Sequence, residues 1–340
     1  MPESDCTELM HRGIAPTVAL KIDVDTLQGY REGVPRLADV LSARSIRATF
    51  CVAMGPDKSG QAIRRVFRQR GFLQKMLRTR AASIYSWRTR LYGLLLPAPL
   101  IAASDPLLIR NLVDAGFEVI PHGWDHVSWH DFLKRWRAER VMSELKCACL
   151  EFQRRAGMRC HAFAAPGWQA SDASLIAEEE LGLEYGADTR GWRPFYPVTA
   201  GGRVIRVPQL PTTLPTADEL IGRVVGDADG LVEHLRRLIL SQPRLEAEGV
   251  PPPDQGDDVT SAPLHVFTLH AEIEGGPWLD AFARLLDALL SDGTEFLTLR
   301  ELARRALAGG PLPECRVVDA VLPGRAGTVS CQSCSAPDRA

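Results

Sequence analysis

The residues of this sequence best suited to chemistry are two histidines four positions apart, in His122-Gly123-Trp124-Asp125-His126. They follow the apolar run 117–120, which is typical of a strand that delivers a metal-binding turn. Positions i and i+4 of one helical turn point the same way, so both imidazoles could reach one cation. Neutral imidazole binds Zn, Cu, Fe and Ni. Because a surface or capping pair has the same spacing, the metal hypothesis depends on residues elsewhere in the chain.

Further acids and one more histidine stand where other predicted strands end. The polar residues at these strand ends are Asp23, Asp25, His122, His126, Asp188 and His270. In a parallel β/α barrel, the C-terminal ends of the strands build the active site. Because these residues come from separate segments, their shared position is stronger evidence for a site than any one of them.

The types of these residues indicate metal-assisted hydrolysis. Asp25, His122 and His126 make a two-histidine, one-carboxylate set that leaves positions for water. Asp23 would share a strand face with Asp25 and could take a proton from that water. His270 suits a general acid for a leaving amine. The open alternatives are a strand-end turn of solvated acids for the aspartates and a core histidine for His270.

The elements that position these residues follow from the apolar periodicity, which predicts a parallel β/α architecture. The predicted strands are 17–22, 48–54, 117–120, 160–165, 185–189, 204–207, 265–269 and 295–299. Helices are predicted between them, the longest at about 131–156. A chain of 340 residues allows one α/β barrel of roughly 250 residues with additions, or two smaller domains.

We predict one barrel over residues 16–307, after an N-terminal extension, 1–15. Residues 308–340 are rich in Pro, Gly and Ser and are predicted to form a flexible tail. Cys331-x-x-Cys334 could bind metal or cycle redox, but it has no second ligand pair nearby. We therefore interpret it as part of a solvated tail.

A basic insertion at 60–104 interrupts the regular pattern. From Lys58 to Ser104 there are ten Lys or Arg residues and no Asp or Glu. Apolar residues recur there at helical spacing, followed by Trp87, Tyr92 and a leucine cluster, which is how a helix lies in a membrane interface. A solvated face or an RNA-binding arm has similar charge. The leucines favour an anionic membrane surface, and we expect no nucleic-acid partner.

The composition is that of an ordinary globular protein, with a formal net charge of -2 and 45% hydrophobic residues. The N-terminus carries acids and lacks the apolar region of a secretory signal. The sequence contains no run of about 18 apolar residues, so no transmembrane helix is predicted. Without an export signal, the eight scattered cysteines favour a reducing cytoplasmic setting.

Three motifs in combination resemble the polysaccharide deacetylase (NodB-homology) family. They are Ile22-Asp23-Val24-Asp25-Thr26, His122-Gly123-Trp124-Asp125-His126 and Thr268-Leu269-His270. Other stretches resemble its branch of 4-deoxy-4-formamido-L-arabinose-phosphoundecaprenol deformylases. These are Gly29, Arg31-Glu-Gly-Val-Pro-Arg36, Asp188-Thr-Arg190-Gly, Leu214-Pro-Thr-x-Asp-Glu-x-Ile-Gly222 and His270-Ala-Glu-Ile-Glu-Gly275. The resemblance covers about residues 18–302.

The resemblance implies a distorted β/α barrel of the polysaccharide deacetylase type that binds a divalent metal, with Zn, Co and Mn as candidates. It assigns three metal ligands: Asp25, His122 and His126. It assigns three catalytic residues: Asp23 as base, His270 as general acid and Asp188 as the acid that orients His270.

One motif departs from the family. The family's third motif has an arginine that steadies the base, whereas Phe163-Ala164-Ala165-Pro166 has alanine there. The deformylase branch has Gly-Trp-Arg, whereas this chain has Gly167-Trp168-Gln169. We therefore advance the hypothesis that Arg190 positions Asp23.

The implied activity is removal of formyl from 4-deoxy-4-formamido-L-arabinose-phosphoundecaprenol, for aminoarabinose modification of lipid A. Such a lipid-linked substrate places the enzyme on the inner face of the cytoplasmic membrane, held there by the insertion. One alternative is an N-deacetylase of another polysaccharide or lipid-linked amino sugar. Another is a membrane- or nucleic-acid-binding barrel without catalysis, favoured only by the missing arginine. Oligomeric state does not follow from the sequence.

Overall fold

The structure is a computed structural model that describes residues 15–62, 85–242, 247, 250 and 262–333. Its strands are β1 (Thr17–Val24), β2 (Thr49–Val52), β3 (Glu118–Pro121), β4 (Ala162–Phe163), β5 (Tyr185–Gly186), β6 (Tyr196–Val198), β7 (Leu264–His270), β8 (Glu295–Leu297), β9 (Glu314–Val321) and β10 (Thr328–Ser333). Its α-helices are α1 (Val34–Ser42), α2 (Leu108–Asp114), α3 (His126–Phe132), α4 (Ala138–Ala156), α5 (Asp172–Glu180), α6 (Ala217–Leu220), α7 (Ala228–Ile239), α8 (Leu279–Ser291) and α9 (Leu299–Ala308).

Parallel strands form the centre of the fold. The main sheet has the order β3-β2-β1-β7, with β8 also paired to β1, and β4 pairs with β5. Backbone hydrogen bonds outside the named strands close the ring, among them Ala164 N–H to Pro121 O, Leu210 N–H to Gly186 O and Thr213 N–H to Val266 O. The predicted distorted β/α barrel is therefore confirmed.

Strand β1 is buried along its whole length, as expected for a parallel strand covered on both faces. One face packs against the helices through Val18, Leu20 and Ile22. The other face begins with Ala19 and belongs to the apolar cluster inside the barrel. Because side chains alternate along a strand, Lys21 and Asp23 continue this inner face.

Two of the predicted elements differ from the structure. Residues 204–207 form no strand; Val204 makes one isolated bridge to Val198, which belongs to β6. The predicted helix at 131–156 is two helices, α3 and α4, because Trp136 and Arg137 have extended backbone between them. Trp136 packs edge-on against Trp129, with ring centroids 6.0 Å apart, which anchors this break.

The prediction of a flexible tail is wrong for residues 314–333. Strands β9 and β10 pair as an antiparallel hairpin, and β9 continues into a parallel pairing with β6. Cys331 and Gln332 are fully buried, so Cys331 does not lie in a solvated tail; Cys334 lies outside the described residues. The hairpin was not predicted from the sequence because polar residues, Ser330 and Gln332, occupy buried positions in β10.

The hairpin braces the loop that follows β4. Gln169 Nε2 donates to Thr328 O at 2.7 Å, and Ala170 N–H donates to Ser330 Oγ at 3.0 Å. Arg190 joins the same structure through its backbone, since its N–H donates to Ser330 O. The C-terminal segment is therefore part of the wall around the strand ends.

The insertion is described only in part. Residues 63–84, which carry most of its predicted amphipathic helix, lie outside the described residues. The returning segment contains a short 3₁₀ turn at Thr89–Leu91 and is tied to the barrel by Ser86 N–H, which donates to Gln28 Oε1 at 2.8 Å. In the part of the chain that the structure describes, no helix combines the length and apolar character needed to cross a bilayer.

A buried polar network stabilises the barrel at the N-terminal ends of its strands. Glu118, at the start of β3, accepts hydrogen bonds from His161 Nε2, Tyr185 Oη, Thr49 Oγ1 and the Arg300 backbone N–H. Burial would raise the pKa of Glu118, but the hydrogen bonds and the charge of His161 outweigh it and leave this pKa below its ordinary value.

We expect Glu118→Gln to lower the free energy of unfolding by about 3 kcal/mol at pH 7, because an amide cannot accept from all four buried donors that the carboxylate satisfies. Since the folded-state pKa is depressed, this stabilisation is present above about pH 4.5 and is lost as the pH falls through the folded-state pKa. Urea unfolding at pH 7 and at pH 3.5 measures both. Glu314→Gln, at an exposed ion pair, is the control and should cost under about 0.5 kcal/mol.

Candidate active site

The two histidines of the predicted metal site lie on a turn from strand to helix. His122 follows β3 directly and His126 is the first residue of α3, rather than both lying on one helical turn as predicted. Gly123 makes the turn with a φ of +80°, and a Cβ there would lie 2.8 Å from Pro166. Asp125 caps α3 by accepting from Ser128 N–H at 3.0 Å.

Asp25 meets this pair from the end of β1. Its Oδ1 lies 3.3 Å from His122 Nε2 and 3.3 Å from His126 Nε2, and the three ligand atoms lie within 4.8 Å of one another. Asp25 Oδ1 is buried and has no hydrogen-bond donor among the described residues. Burial opposes the ionised form, but the two imidazoles hold the pKa of Asp25 well below its ordinary value.

The three side chains fit a divalent cation. His122 Nδ1 lies 2.9 Å from Ala164 O, so Nδ1–H donates there and Nε2 is the ring nitrogen that faces Asp25. An oxygen without a donor and two imidazole nitrogens are ligand types that Zn, Co and Mn accept. The predicted ligands Asp25, His122 and His126 are thus brought together.

Glu272 holds the backbone of the Asp25 loop and was not singled out from the sequence. Its Oε1 accepts from Asp25 N–H, Thr26 N–H and Thr26 Oγ1, at 3.1, 2.9 and 2.7 Å. Burial and the neighbouring Asp25 raise the pKa of Glu272 to about 8. Gly29 is required beside it, because a Cβ there would lie 2.1 Å from Glu272 Oε1.

Asp23 is paired with Lys21, not with Arg190. Lys21 Nζ lies 2.5 Å from Asp23 Oδ1 and 2.6 Å from Oδ2, and both side chains are buried. Burial alone would raise the pKa of Asp23, but Lys21 and His122 hold it below its ordinary value. Asp23 Oδ2 also lies 3.8 Å from His122 Nε2, so the carboxylate stands beside the metal ligands.

The hypothesis that Arg190 positions Asp23 is wrong, because the guanidinium of Arg190 has other partners. It donates to Glu219 Oε1 at 2.8 Å and to Leu214 O at 2.9 Å. Arg325, from the hairpin turn, reaches the same Glu219 oxygen at 3.2 Å. The guanidiniums of Arg190 and Arg325 lie 4.9 and 4.5 Å from the Trp168 ring, so they position Trp168 rather than the base.

His270 stands next to Asp23 but is not oriented by Asp188 as predicted. The register of β1 and β7 pairs Asp23 with His270. The carboxylate near the imidazole is Asp218, whose Oδ1 lies 3.9 Å from His270 Nδ1. Glu274 Oε2 accepts from His270 N–H at 2.8 Å and holds the backbone.

Asp188 is a buried structural acid in this fold. Its side chain accepts from Ala165 N–H at 2.7 Å and from Gln209 Nε2 at 3.3 Å. Burial raises the pKa of Asp188, and the adjacent Glu178 has its pKa raised further by burial and by the charge of Asp188. Asp188 therefore shapes the loop after β4, which carries Trp168.

Trp168 and Tyr85 complete the surroundings of His270 and Asp25. The Trp168 ring lies edge-on to His270, with centroids 6.4 Å apart, on backbone with a φ of +52°. Tyr85, on the returning end of the insertion, is half-buried. Burial, with the charges of Glu272 and Asp25 next, raises its pKa well above the ordinary value, so its hydroxyl stays protonated.

Sequence signals existed for several of the missed residues. Lys21 is a charged residue inside an otherwise apolar strand, two positions before Asp23. Asp218 and Glu219 belong to the stretch Leu214–Gly222, and Glu272 belongs to the stretch His270–Gly275, both of which carry the resemblance to the deformylase branch. A buried charge requires a partner, and this requirement could have identified Lys21.

The arrangement suits hydrolysis of an amide. One rim of the barrel holds a group able to bind a cation, a carboxylate paired with Lys21, and an imidazole on the neighbouring strand. A carboxylate can accept a proton from an attacking water, and an imidazolium can give one to a leaving amine. A cation held by Asp25, His122 and His126 would supply Lewis-acid chemistry.

Comparisons with known proteins agree with this chemistry. The model of the family described as polysaccharide deacetylase matches residues 13–186. A protein of Shewanella sediminis (strain HAW-EB3), named "Probable 4-deoxy-4-formamido-L-arabinose-phosphoundecaprenol deformylase ArnD", is 32% identical over 93% of this chain and 94% of its own length. A protein of the same name from Wigglesworthia glossinidia brevipalpis is 25% identical over 89% of this chain and 98% of its own.

Solved structures share the fold. The chain superposes on Puue allantoinase with a TM-score of 0.57 and 15% identity, covering 87% of this chain and 92% of that one. It superposes on a "probable Polysaccharide deacetylase" from Pseudomonas aeruginosa PAO1 with a TM-score of 0.57 and 15% identity, covering 87% and 93%. These similarities support the barrel architecture alone.

Proposed function

The chain belongs to the polysaccharide deacetylase family, in its branch of formamido-arabinose-phosphoundecaprenol deformylases, and we propose that it deformylates 4-deoxy-4-formamido-L-arabinose-phosphoundecaprenol. The observation that carries this proposal is the convergence of Asp25, His122 and His126 beside Asp23 and His270. The product would be the free aminoarabinose lipid used to modify lipid A.

The proposed reaction is hydrolysis of the formamide. The C–N bond of the formamide breaks, a C–O bond to water forms, and formate and a free amine result. A divalent cation held by Asp25, His122 and His126 supplies Lewis-acid chemistry that polarises the carbonyl and acidifies water. Asp23 accepts the proton of the attacking water, while Lys21 and His122 keep its carboxylate in place.

His270 completes the proposed reaction as the general acid. Its imidazolium donates a proton to the departing amine nitrogen, which would otherwise leave as a strongly basic anion. Asp218 Oδ1 lies 3.9 Å from Nδ1 and is the carboxylate beside the ring. Trp168 packs edge-on to the imidazole and limits the water around it.

Release of formate from the lipid-linked substrate tests the proposal. Protein loaded with Zn, Co or Mn would be incubated with formamido-arabinosyl polyprenyl phosphate, with formate measured enzymatically and the lipid by mass spectrometry. Loss of the mass of CO, with one formate per amine formed, is the expected result. The comparison of the three metals also identifies the one that supports the highest rate.

The acetyl analogue separates the two hydrolase hypotheses. A deformylase releases formate much faster than it releases acetate from the matched N-acetyl lipid, whereas a deacetylase reverses this order. If metal-loaded protein releases neither acid from either lipid, the proposed function is rejected.

The insertion supports a second part of the proposal: attachment to the cytoplasmic face of an anionic membrane. Ten large apolar side chains of the described residues are exposed, and four of them belong to the insertion: Trp87, Leu94, Leu95 and Leu100. Arg88, which lies 5.4 Å from the Trp87 ring, and Arg90 are exposed beside them. Aromatic, leucine and arginine side chains together favour an anionic interface.

We expect Leu95→Asp to weaken binding to phosphatidylglycerol-containing vesicles by about tenfold or more, because a largely exposed leucine would no longer enter the bilayer. Vesicle co-sedimentation measures this. Leu150→Asp is the matched control, since Leu150 is 63% exposed on α4, outside the insertion. Equal effects of the two substitutions would contradict membrane attachment through the insertion.

A further inference from the structure

The carboxylate of Asp23 can act on water only if its orientation is held. A free aspartate rotates about its side-chain bonds, and effective proton transfer requires hydrogen-bond geometry toward the attacking water. Along its own segment of chain, the side chains expected on the same face as Asp23 are those at positions i−2 and i+2. These are Lys21 and Asp25, and Asp25 already faces the two histidines.

We propose that Lys21 is the positioning residue of Asp23 and sets the direction from which the carboxylate meets the attacking water. This inference rests on the proposed hydrolase function. Lys21 Nζ contacts both oxygens of Asp23, at 2.5 and 2.6 Å, and so fixes the plane of the carboxylate. A carboxylate has about four acceptor sites, so the sites that Lys21 leaves open remain for water.

Among the described residues, the hydrogen bonds of Lys21 Nζ go to Asp23 alone. Its side chain is fully buried inside the barrel, where an unpaired ammonium would be costly. The Trp168 ring lies 5.4 Å from Nζ, so the indole covers the ammonium on another side. The pair Lys21–Asp23 sits within reach of His122, with Asp23 Oδ2 3.8 Å from Nε2.

The pairing of β1 with its two neighbouring strands holds the backbone of Lys21 and Asp23 in place. The register of β1 places Asp23 opposite Cys51 of β2 and opposite His270 of β7, so the backbone on both sides is hydrogen-bonded. A lysine on the same strand cannot move relative to its aspartate when a loop moves. The arginine hypothesised from the sequence, Arg190, lies instead on a loop and is bound to Glu219.

Three substitutions test the proposal by formate release and metal content. Lys21→Met should lower kcat about 100-fold, with KM changed less than twofold and one metal per chain retained, because only the base is misdirected. Lys21→Arg should recover at least about tenfold over the methionine variant. Lys146→Met is the control, since Lys146 is exposed on α4 and its loss should leave kcat unchanged.

A double-mutant cycle separates positioning from packing. If Lys21 acts through Asp23, Lys21→Met in the Asp23→Asn background should change kcat less than twofold. A full 100-fold loss in that background too would overturn the proposal. The double variant removes both charges, so it folds without an unpaired buried carboxylate; should Lys21→Met alone not fold, Lys21→Gln replaces it in the cycle.

Crystal structures of the Lys21→Met and Lys146→Met proteins give a result that does not depend on the substrate. The Asp23 carboxylate should rotate from its position in the first and keep it in the second. An unmoved carboxylate in the Lys21→Met protein would overturn the proposal. If the unsubstituted protein releases no formate, the proposed function fails, while the position of Asp23 still decides the role of Lys21.

Discussion

Replacing His122 by alanine is expected to abolish binding of the divalent metal and to lower kcat/KM by at least about 1000-fold. Substitutions of groups outside the ligand set typically cost roughly 10- to 100-fold, and the loss of a ligand removes more. His122 is central, since its Nε2 lies 3.3 Å from Asp25 and its Nδ1 is held by Ala164 O. Metal content by inductively coupled plasma mass spectrometry, followed by the formate assay, measures both effects.

The control for this experiment is His234→Ala, because His234 lies half-buried on α7 and is no member of the Asp25 group. It should keep metal and activity. Chelation of the unsubstituted protein should remove activity, and added Zn, Co or Mn should restore it. A His122→Ala protein that retains one tightly bound metal and normal activity would show that these three residues are not the ligands.

Replacing His270 by glutamine is expected to lower kcat on the formamido lipid by about 1000-fold, within the range that general acid catalysis contributes. The reason is that a sugar amine must be protonated as it leaves. A formanilide with an electron-withdrawing ring has a leaving group that needs little protonation. The loss caused by His270→Gln should therefore shrink to under about tenfold on that substrate.

The two carboxylates associated with His270 can be separated in the same assay. Asp218→Asn should show the same dependence on the leaving group, though with a smaller loss, because Asp218 Oδ1 lies 3.9 Å from Nδ1. Asp188→Asn should lower kcat equally on both substrates, since Asp188 contacts Ala165 and Gln209. A dependence on the leaving group for Asp188 but not for Asp218 would restore the sequence-based assignment.

Both predictions concern residues that the sequence alone singles out. Asp25, His122 and His126 could be predicted because each follows an apolar strand, and parallel strands bring their C-terminal ends to one rim. The pairing of Asp23 with His270 follows from the same rule, since β1 and β7 are neighbours in register. These statements need only the order and direction of the strands.

The partners of the catalytic groups could not be predicted in this way. Asp188 was assigned to His270 from the family resemblance and Arg190 to Asp23 as a hypothesis, and both partners are different in the structure. The guanidinium of Arg190 instead binds Glu219, on α6, and Leu214 O, because the chain passes beside it at 214–219. Lys21, on a strand, lay within the reach of sequence reasoning, because two residues of spacing fix a shared face.

The C-terminal hairpin and its contacts also could not be predicted from the sequence. Its composition is typical of a loop, yet Gln332 Oε1 accepts from Trp192 N–H at 3.1 Å and Arg325 reaches Glu219. Sequence alone determined the chemistry at the rim of the barrel, because strand alternation and strand direction are local properties. Only the tertiary structure decided which charged residues form pairs. Those contacts depend on where the loops and the hairpin cross the rim of the barrel, and no short-range sequence pattern determines that path.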